Sequence, residues 1–244
     1  MLKFAEHTAH LVSWIPEGHQ EVLYLSPNAI MKEGEAIRGG VPICWPWFGP
    51  RQGKPSHGTA RISPWQRKSE NKFKLFTNEA TLTLLVEEDG PTLTLTLITK
   101  NTMFRTFEVT QALHTYFQVG NIHKISIHGH EENAYYDKVL NEHQQQKGTL
   151  IFNGETDRIY LTAKPSIIKD PILKREITVS KEGSGSTVIW NPGAKKSREI
   201  KDLPDDGFEQ FVCVEAANTH LDPVKIKPND EYTIKQKISI NSSK

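Results

Sequence analysis

The stretch TLTLTLITK, residues 92–100, alternates threonine with leucine through three repeats. A two-residue period sends successive side chains to opposite faces of an extended chain, so the segment matches a half-buried strand and not an amphipathic helix. The same alternation returns in TLTLLVEE (81–88), EITVS (176–180), STVIWN (186–191) and EYTIKQKISI (231–240). Their threonine, valine, isoleucine and aromatic content suits a pleated surface. Turn-forming clusters separate these runs: EEDGP (87–91), KEGSGS (181–186), NPGAKK (191–196), LPDDG (203–207) and KPND (227–230). Such short turns join antiparallel neighbours, whereas parallel pairs need long crossovers. No segment has the apolar stripe of a three-turn amphipathic helix, and NEHQQQKGT (141–149), polar all round, reads as loop. The expected fold is all-β, a large and mostly antiparallel β-sandwich of two packed sheets, in one domain spanning residues 1–244.

Charge excludes some partners. With 30 basic and 29 acidic side chains the net charge is +1, too little for the broad positive field that nucleic acid or an anionic membrane would call for. Any anion site must be local. No run reaches the roughly 18 apolar residues of a membrane-spanning helix, and MLKFAEHTAHLVSW at the start lacks a signal-peptide core. A cytoplasmic monomer with neither nucleic-acid nor membrane partners is the expectation. The two cysteines, Cys44 and Cys213, lie in the apolar runs VPICWPW and FVCVE and read as buried, reduced thiols.

The segment IRGGVPICWPWFGPRQGKPSHGTARISPW (37–65) is unusually stiff. Pro42, Pro46 and Pro50 restrict the backbone before any ligand arrives, while Gly39 and Gly40 let the chain pass close to a neighbour. Trp45, Trp47 and Phe48 supply flat apolar surface, suited either to the core or to the CH faces of a sugar ring. Arg38 and Arg61 bracket the loop within AIRGGVP and GTARIS. A guanidinium half-buried in such surroundings needs an anionic partner, and its planar fork matches phosphate or carboxylate oxygens. The reading as ordinary surface arginines remains open at this point.

Other candidates lie in strand-like runs. In EVTQALHTYFQV (108–119) alternation places Leu113, Thr115 and Phe117 on one face and His114, Tyr116 and Gln118 on the other. His114 is either a satisfied core histidine or a proton donor near neutral pH. Glu215 ends the apolar run FEQFVCVEAAN (208–218) on the same face as Phe211 and Cys213. Desolvation there raises a carboxyl pKa, which suits a general base, unless an arginine pairs with it. Asp157, in TDRIYL just before a short strand-like run, reads as half of a surface pair with Arg158. His128-Gly129-His130 has H-x-H spacing but no clear third ligand nearby, so no metal is expected.

Four stretches together resemble the hexose-6-phosphate mutarotases (glucose-6-phosphate 1-epimerases), a branch of the aldose 1-epimerase superfamily: IRGGVPICWPWFGP (37–50), HGTARISPW (57–65), ALHTYFQVG (112–120) and WNPG…LPDDGFEQFVCVE (190–215). The resemblance implies a galactose mutarotase-like β-sandwich that interconverts the α and β anomers of hexose 6-phosphates without a cofactor. It implies His114 as catalytic acid and Glu215 as catalytic base, Arg38 and Arg61 on the phosphate side, Asp157 on sugar hydroxyls, and His57 beside the substrate. Ser56 stands where some members carry a polar amide. The N-terminal stretch and the EEDGP connection are short against the family pattern, and the latter is expected to alter the pocket wall. Two rivals are a mutarotase of free aldoses, for which two guanidinium groups are superfluous, and a non-catalytic sugar-binding β-sandwich, which has no use for an acid–base pair.

Overall fold

The computed structural model describes residues 1–242. Its strands, numbered in chain order, form two large antiparallel sheets. One runs in the order β13 (Glu142–Gln145), β12 (Ala134–Asp137), β14 (Thr156–Tyr160), β17 (Ser186–Asn191), β18 (Phe211–Asn218), β9 (Gln111–Leu113) and β3 (Ile43–Cys44). β10 (Tyr116–Gln118) also pairs with β18. The other runs β11 (Ser126–His128), β15 (Ser166–Asp170), β16 (Arg175–Glu182), β20 (Glu231–Ser242), β7 (Thr92–Asn101), β6 (Ala80–Asp89), β5 (Lys72–Phe76) and β4 (Gln66–Ser69). Two small hairpins, β1 (Leu2–Phe4) with β2 (Leu11–Trp14) and β8 (Phe107–Val109) with β19 (Val224–Ile226), complete the β structure.

The alternation that defined the strands also defines the core. Leu82, Leu84, Leu93, Leu95 and Leu97 are fully buried between the sheets, each contributing roughly 1.5–3 kcal/mol of burial free energy. Isoleucines 234, 238 and 240 of β20 and Val212, Val214 and Ala216 of β18 join the same core. Strand β18 is buried on both faces, because Phe211 and Cys213 pack outward under Tyr24, Tyr116 and Leu203. A polar tie crosses the core behind them: the Thr115 hydroxyl donates to Gln236 Oε1, and Gln236 Nε2 donates to the Val214 carbonyl at 3.0 Å.

Two sequence expectations change. Glu142–Gln145, expected as loop, is a strand, and it is polar because it is the exposed sheet edge and packs no apolar face. NPGAKK, expected as a turn, holds the five-residue helix α1 (Gly193–Ser197). The short 87–91 connection closes the β6–β7 hairpin in the sheet away from the pocket described below, and none of its residues lines that pocket.

Two glycines of the stiff loop are held where no other residue fits. Gly40 has φ 59°, and a Cβ there would lie 2.2 Å from the Leu11 carbonyl oxygen. Gly58 has φ 75°, and its Cβ would lie 2.0 Å from the carbonyl oxygen of Trp45. That close approach lets Thr59 and Ala60 donate to the Trp45 carbonyl at 2.9 and 3.1 Å, which fixes the chain on either side of it, at His57 and Arg61. Gly18 shares the φ of 75° but has nothing within 4 Å of its Cβ direction. Gly58→Ala is therefore expected to destabilise the protein by well over about 1 kcal/mol, more than Gly18→Ala, which bears only the backbone strain. Urea denaturation of the two variants measures the difference, and equal midpoints would contradict the close contact.

Candidate active site

Strand register sets the centre of the site. Val188 of β17 faces Glu215 of β18, and Leu113 of β9 faces Ala216, so His114, the next residue, comes level with Glu215. The two side chains meet: His114 Nε2 lies 3.3 Å from Glu215 Oε1, and both are buried. The alternation read from the sequence thus placed both groups on the correct face. Burial pushes the Glu215 carboxyl well above its usual range, helped by the negative Asp157 nearby. Burial pushes the His114 imidazole well below its own, and the positive charge of Arg61 adds to the effect. Both effects favour a neutral pair whose proton rests on Glu215. Glu215 Oε2 and His114 Nδ1 are buried with no hydrogen-bond partner among the described residues.

Around this pair lies a cavity of about 470 Å³. All six candidate residues, Arg38, His57, Arg61, His114, Asp157 and Glu215, line it. Tyr116 stacks on the His114 ring, centroids 5.0 Å apart and planes 12° apart, and Trp190 meets His114 edge-on at 6.0 Å. Of Trp45, Trp47 and Phe48 in the stiff loop, only Phe48 lines the cavity. Trp45 belongs to the core, and Trp47 lies under the guanidinium of Arg51, its indole donating to the Pro55 carbonyl. Cys44 and Cys213 are free buried thiols, as expected.

The cations of the site are not equivalent. Arg38 is already committed: Nε and one terminal nitrogen sit 3.1 Å from Asp202 Oδ1, and the other donates to the Tyr116 hydroxyl at 3.0 Å. The anion its burial requires is thus the protein's own. Lys138 pairs with Asp157 at 2.7 Å and Lys196, on α1, with Glu155 at 2.6 Å. Asp157 does not pair with Arg158, whose side chain turns to the other face, toward Asp137 and over the Tyr135 ring. Arg61 differs from the other three: it donates to the Ser56 carbonyl at 2.7 Å, its buried Nε has no partner, and no carboxylate among the described residues is within ion-pair distance.

His57 adopts a left-handed backbone with φ 61°, and its Nδ1 accepts the Gly49 N–H at 3.3 Å. The neutral ring therefore carries its proton on Nε2 and can donate it. Burial and Arg61 lower its pKa to about 3. Asp157 is raised by burial against the opposing pull of Lys138. The H-x-H pair separates: His130 bonds Ser166 at 2.7 Å, whereas His128 lies 3.4 Å from Glu131.

A family model described as aldose 1-epimerase matches residues 1–239. The chain belongs to the aldose 1-epimerase family. Within it, this chain is 43% identical over 235 residues to a protein of Escherichia coli K12 named "Putative glucose-6-phosphate 1-epimerase", spanning 88% of this chain and 78% of that protein. A protein of the same name from the plant Cenchrus ciliaris is 33% identical over 251 residues, spanning 91% and 76%. Among solved structures, a "putative mutarotase" of Salmonella typhimurium superposes with a TM-score of 0.88 at 37% identity, over 97% of this chain and 85% of that one. A galactose mutarotase-related enzyme of Lactobacillus acidophilus, 13% identical, shares the fold with a TM-score of 0.75 over 100% and 98%. The galactose mutarotase-like β-sandwich expected from the sequence is the fold found.

Sequence reasoning did not single out Lys138, Glu155, Lys196 or Asp202. Each lies beside a turn cluster or a polar strand end, where charged residues are common and alternation carries no signal. Trp190 and Tyr116 lay within recognised motifs but without an assigned role.

The buried histidines have a consequence for stability. His10 and His130 titrate at about 4 and His57 at about 3 in the folded protein, each lowered chiefly by burial. In the unfolded chain a histidine titrates near 6.5. Below that pH the unfolded state binds more protons, so stability is lost as pH falls, by about 1.4 kcal/mol per pH unit for each such histidine. Glu215 and Asp157, raised in the fold, oppose this with at most one proton each. The urea midpoint is expected to fall steadily from pH 6.5 to pH 4.5. A midpoint that stays flat over that range would show that these rings are not held neutral.

Proposed function

We propose that the protein is an isomerase that interconverts the α and β anomers of hexose 6-phosphates, glucose 6-phosphate foremost. The observation that carries this reading is the buried His114–Glu215 contact at 3.3 Å on the floor of a sugar-sized pocket that also holds the unpaired guanidinium of Arg61. The names of the bacterial and plant relatives support the substrate class. The match over residues 1–239 supports treating the chain as one functional unit. No described helix is long and apolar enough to cross a membrane, and the reading is of a cytoplasmic monomer.

Anomer exchange opens the ring hemiacetal, rotates the C1–C2 bond and closes the ring. Opening removes the proton of the C1 hydroxyl and delivers one to the ring oxygen. Glu215 as carboxylate takes the first and His114 as imidazolium gives the second. Closure returns both protons, so each group acts once as acid and once as base. The pair needs one shared proton, and the 3.3 Å contact passes it between them. No covalent intermediate is formed. Asp157 takes sugar hydroxyls, His57 donates from Nε2, and Phe48 and Trp190 face the ring. Arg61 holds the phosphate, with Arg38 fixed beside it by Asp202 and Tyr116. Binding energy from the phosphate, remote from C1, orients the sugar over the pair.

His114→Ala and Glu215→Gln are each expected to lower the enzymatic anomer-exchange rate on glucose 6-phosphate by about 10²–10⁴-fold. Two-dimensional exchange NMR measures this against the spontaneous rate. Tight binding of the sugar phosphate by the wild type without acceleration would favour the non-catalytic reading. Arg61→Ala should raise KM for glucose 6-phosphate far more than for glucose, and equal effects on both sugars would remove the phosphate clamp. The pH dependence of kcat/KM should be bell-shaped, since the pair is inactive with two protons or none. Its acid limb falls below the usual histidine range and its alkaline limb above the usual carboxylate range, following the opposite shifts of His114 and Glu215. A profile limited by an unshifted histidine near 6.5 would contradict the burial of the pair.

A further inference from the structure

The floor of the catalytic pocket continues past it. Across neighbouring strands, Glu215 faces Val188, Val188 faces Ile159 and Ile159 faces Tyr136, all on the same side of the sheet. At roughly 4.8 Å per strand, these three steps carry the row about 14 Å from the acid–base pair, beyond the reach of a single pyranose ring. At its far end is a second cavity of about 390 Å³, sharing Phe48, Pro50 and Lys138 with the first. The two are therefore adjoining compartments of one trough, meeting at Phe48 and Lys138.

The second compartment has the chemistry of a sugar site without that of an anion site. Ile159 is buried beneath it, and the half-buried Tyr136 ring, near the rings of His143 and His220, offers a flat apolar surface. The Tyr136 hydroxyl donates to Asn141 Oδ1, and Asn141 and His220 stand exposed on the rim. An apolar platform edged by amide, hydroxyl and imidazole matches the CH face and hydroxyl edge of a pyranose. Its one cation, Lys138, is held by Asp157 at 2.7 Å, so no charge is left over for a second phosphate.

We propose that this compartment is a second-sugar subsite, which takes the non-reducing ring of a disaccharide whose reducing ring is a hexose 6-phosphate in the catalytic pocket. The inference rests on the proposed function. On that reading C1 must stay free at His114 and Glu215, and C6 carries the phosphate. The second ring is therefore attached through a secondary hydroxyl, on the side of Asp157 and Lys138 where the compartments meet. The natural substrate class widens from hexose 6-phosphates to their 2-O-, 3-O- or 4-O-glycosylated forms.

The test compares glucose 6-phosphate with its 2-O-, 3-O- and 4-O-glucosyl derivatives, phosphorylated on the reducing ring, in anomer exchange by NMR. Wild type, Tyr136→Ala and His220→Ala are used, neither altered residue lining the catalytic pocket. At least one derivative is expected to show a lower KM than glucose 6-phosphate. Tyr136→Ala should raise that KM by about tenfold, the effect of losing one good contact, and leave the KM of glucose 6-phosphate within about twofold. His220→Ala, a change at an exposed position, should act in the same direction and decides the matter if Tyr136→Ala does not fold. The subsite is overturned if no derivative binds better than glucose 6-phosphate, or if the variants affect both substrates alike. Should wild type fail to exchange glucose 6-phosphate at all, the catalytic reading fails by itself. Equilibrium binding by the fluorescence of the pocket residue Trp190 then decides the subsite: a derivative about tenfold weaker in the variants supports it, and an unchanged Kd overturns it.

Discussion

A carboxyl and an imidazole buried in contact are costly to maintain. Glu215 stands on a strand buried on both faces, and His114, just past the end of β9, is level with it. Each leaves one buried polar atom unpaired, Oε2 and Nδ1, at a cost on the order of 1–3 kcal/mol apiece. A fold that keeps such atoms unsatisfied leaves room for a ligand that satisfies them, and a sugar brings a hydroxyl and a ring oxygen for that purpose. Burial opposes charge on both residues, so the shared proton rests on Glu215 and passes to His114 when the pair acts, as a reaction that exchanges the acid and base roles in each turnover requires.

The surrounding charges are arranged by the same need. Three of the four long cations at the pocket are neutralised within the protein: Arg38 by Asp202, Lys138 by Asp157 and Lys196 by Glu155. These pairs shape the walls and stop a surplus of positive charge from depressing Glu215. Arg61 alone keeps buried donor capacity without an acidic partner among the described residues. Arg38 acts more as a strut. Held by Asp202, it donates to Tyr116, whose ring lies flat on His114. The chain Asp202–Arg38–Tyr116–His114 carries rigidity from a surface loop to the acid–base pair.

Much of this was legible from alternation. The period of two placed β6, β7, β16, β17 and β20 within a residue or two of their observed limits, and it grouped His114 with Tyr116 and Glu215 with Cys213 before any pairing was known. The polar edge strand Glu142–Gln145 escaped because it packs no apolar side and so leaves no period to read. The stiff loop was seen as one wall, but its aromatics serve three surroundings: Trp45 the core, Trp47 the surface and Phe48 the pocket. Nothing in a run of aromatics separates these, since each is equally apolar until a neighbour covers it.

The sequence by itself determined which side chains share a face and where the chain can turn, because these follow from backbone geometry over a few residues. Tertiary structure alone decided partnership. Whether an arginine is spent on a carboxylate or left for a ligand depends on what a distant loop brings within about 3–4 Å. Asp202 lies 164 residues from Arg38. Such contacts are fixed by strand order, register and loop closure together, and no local pattern encodes them.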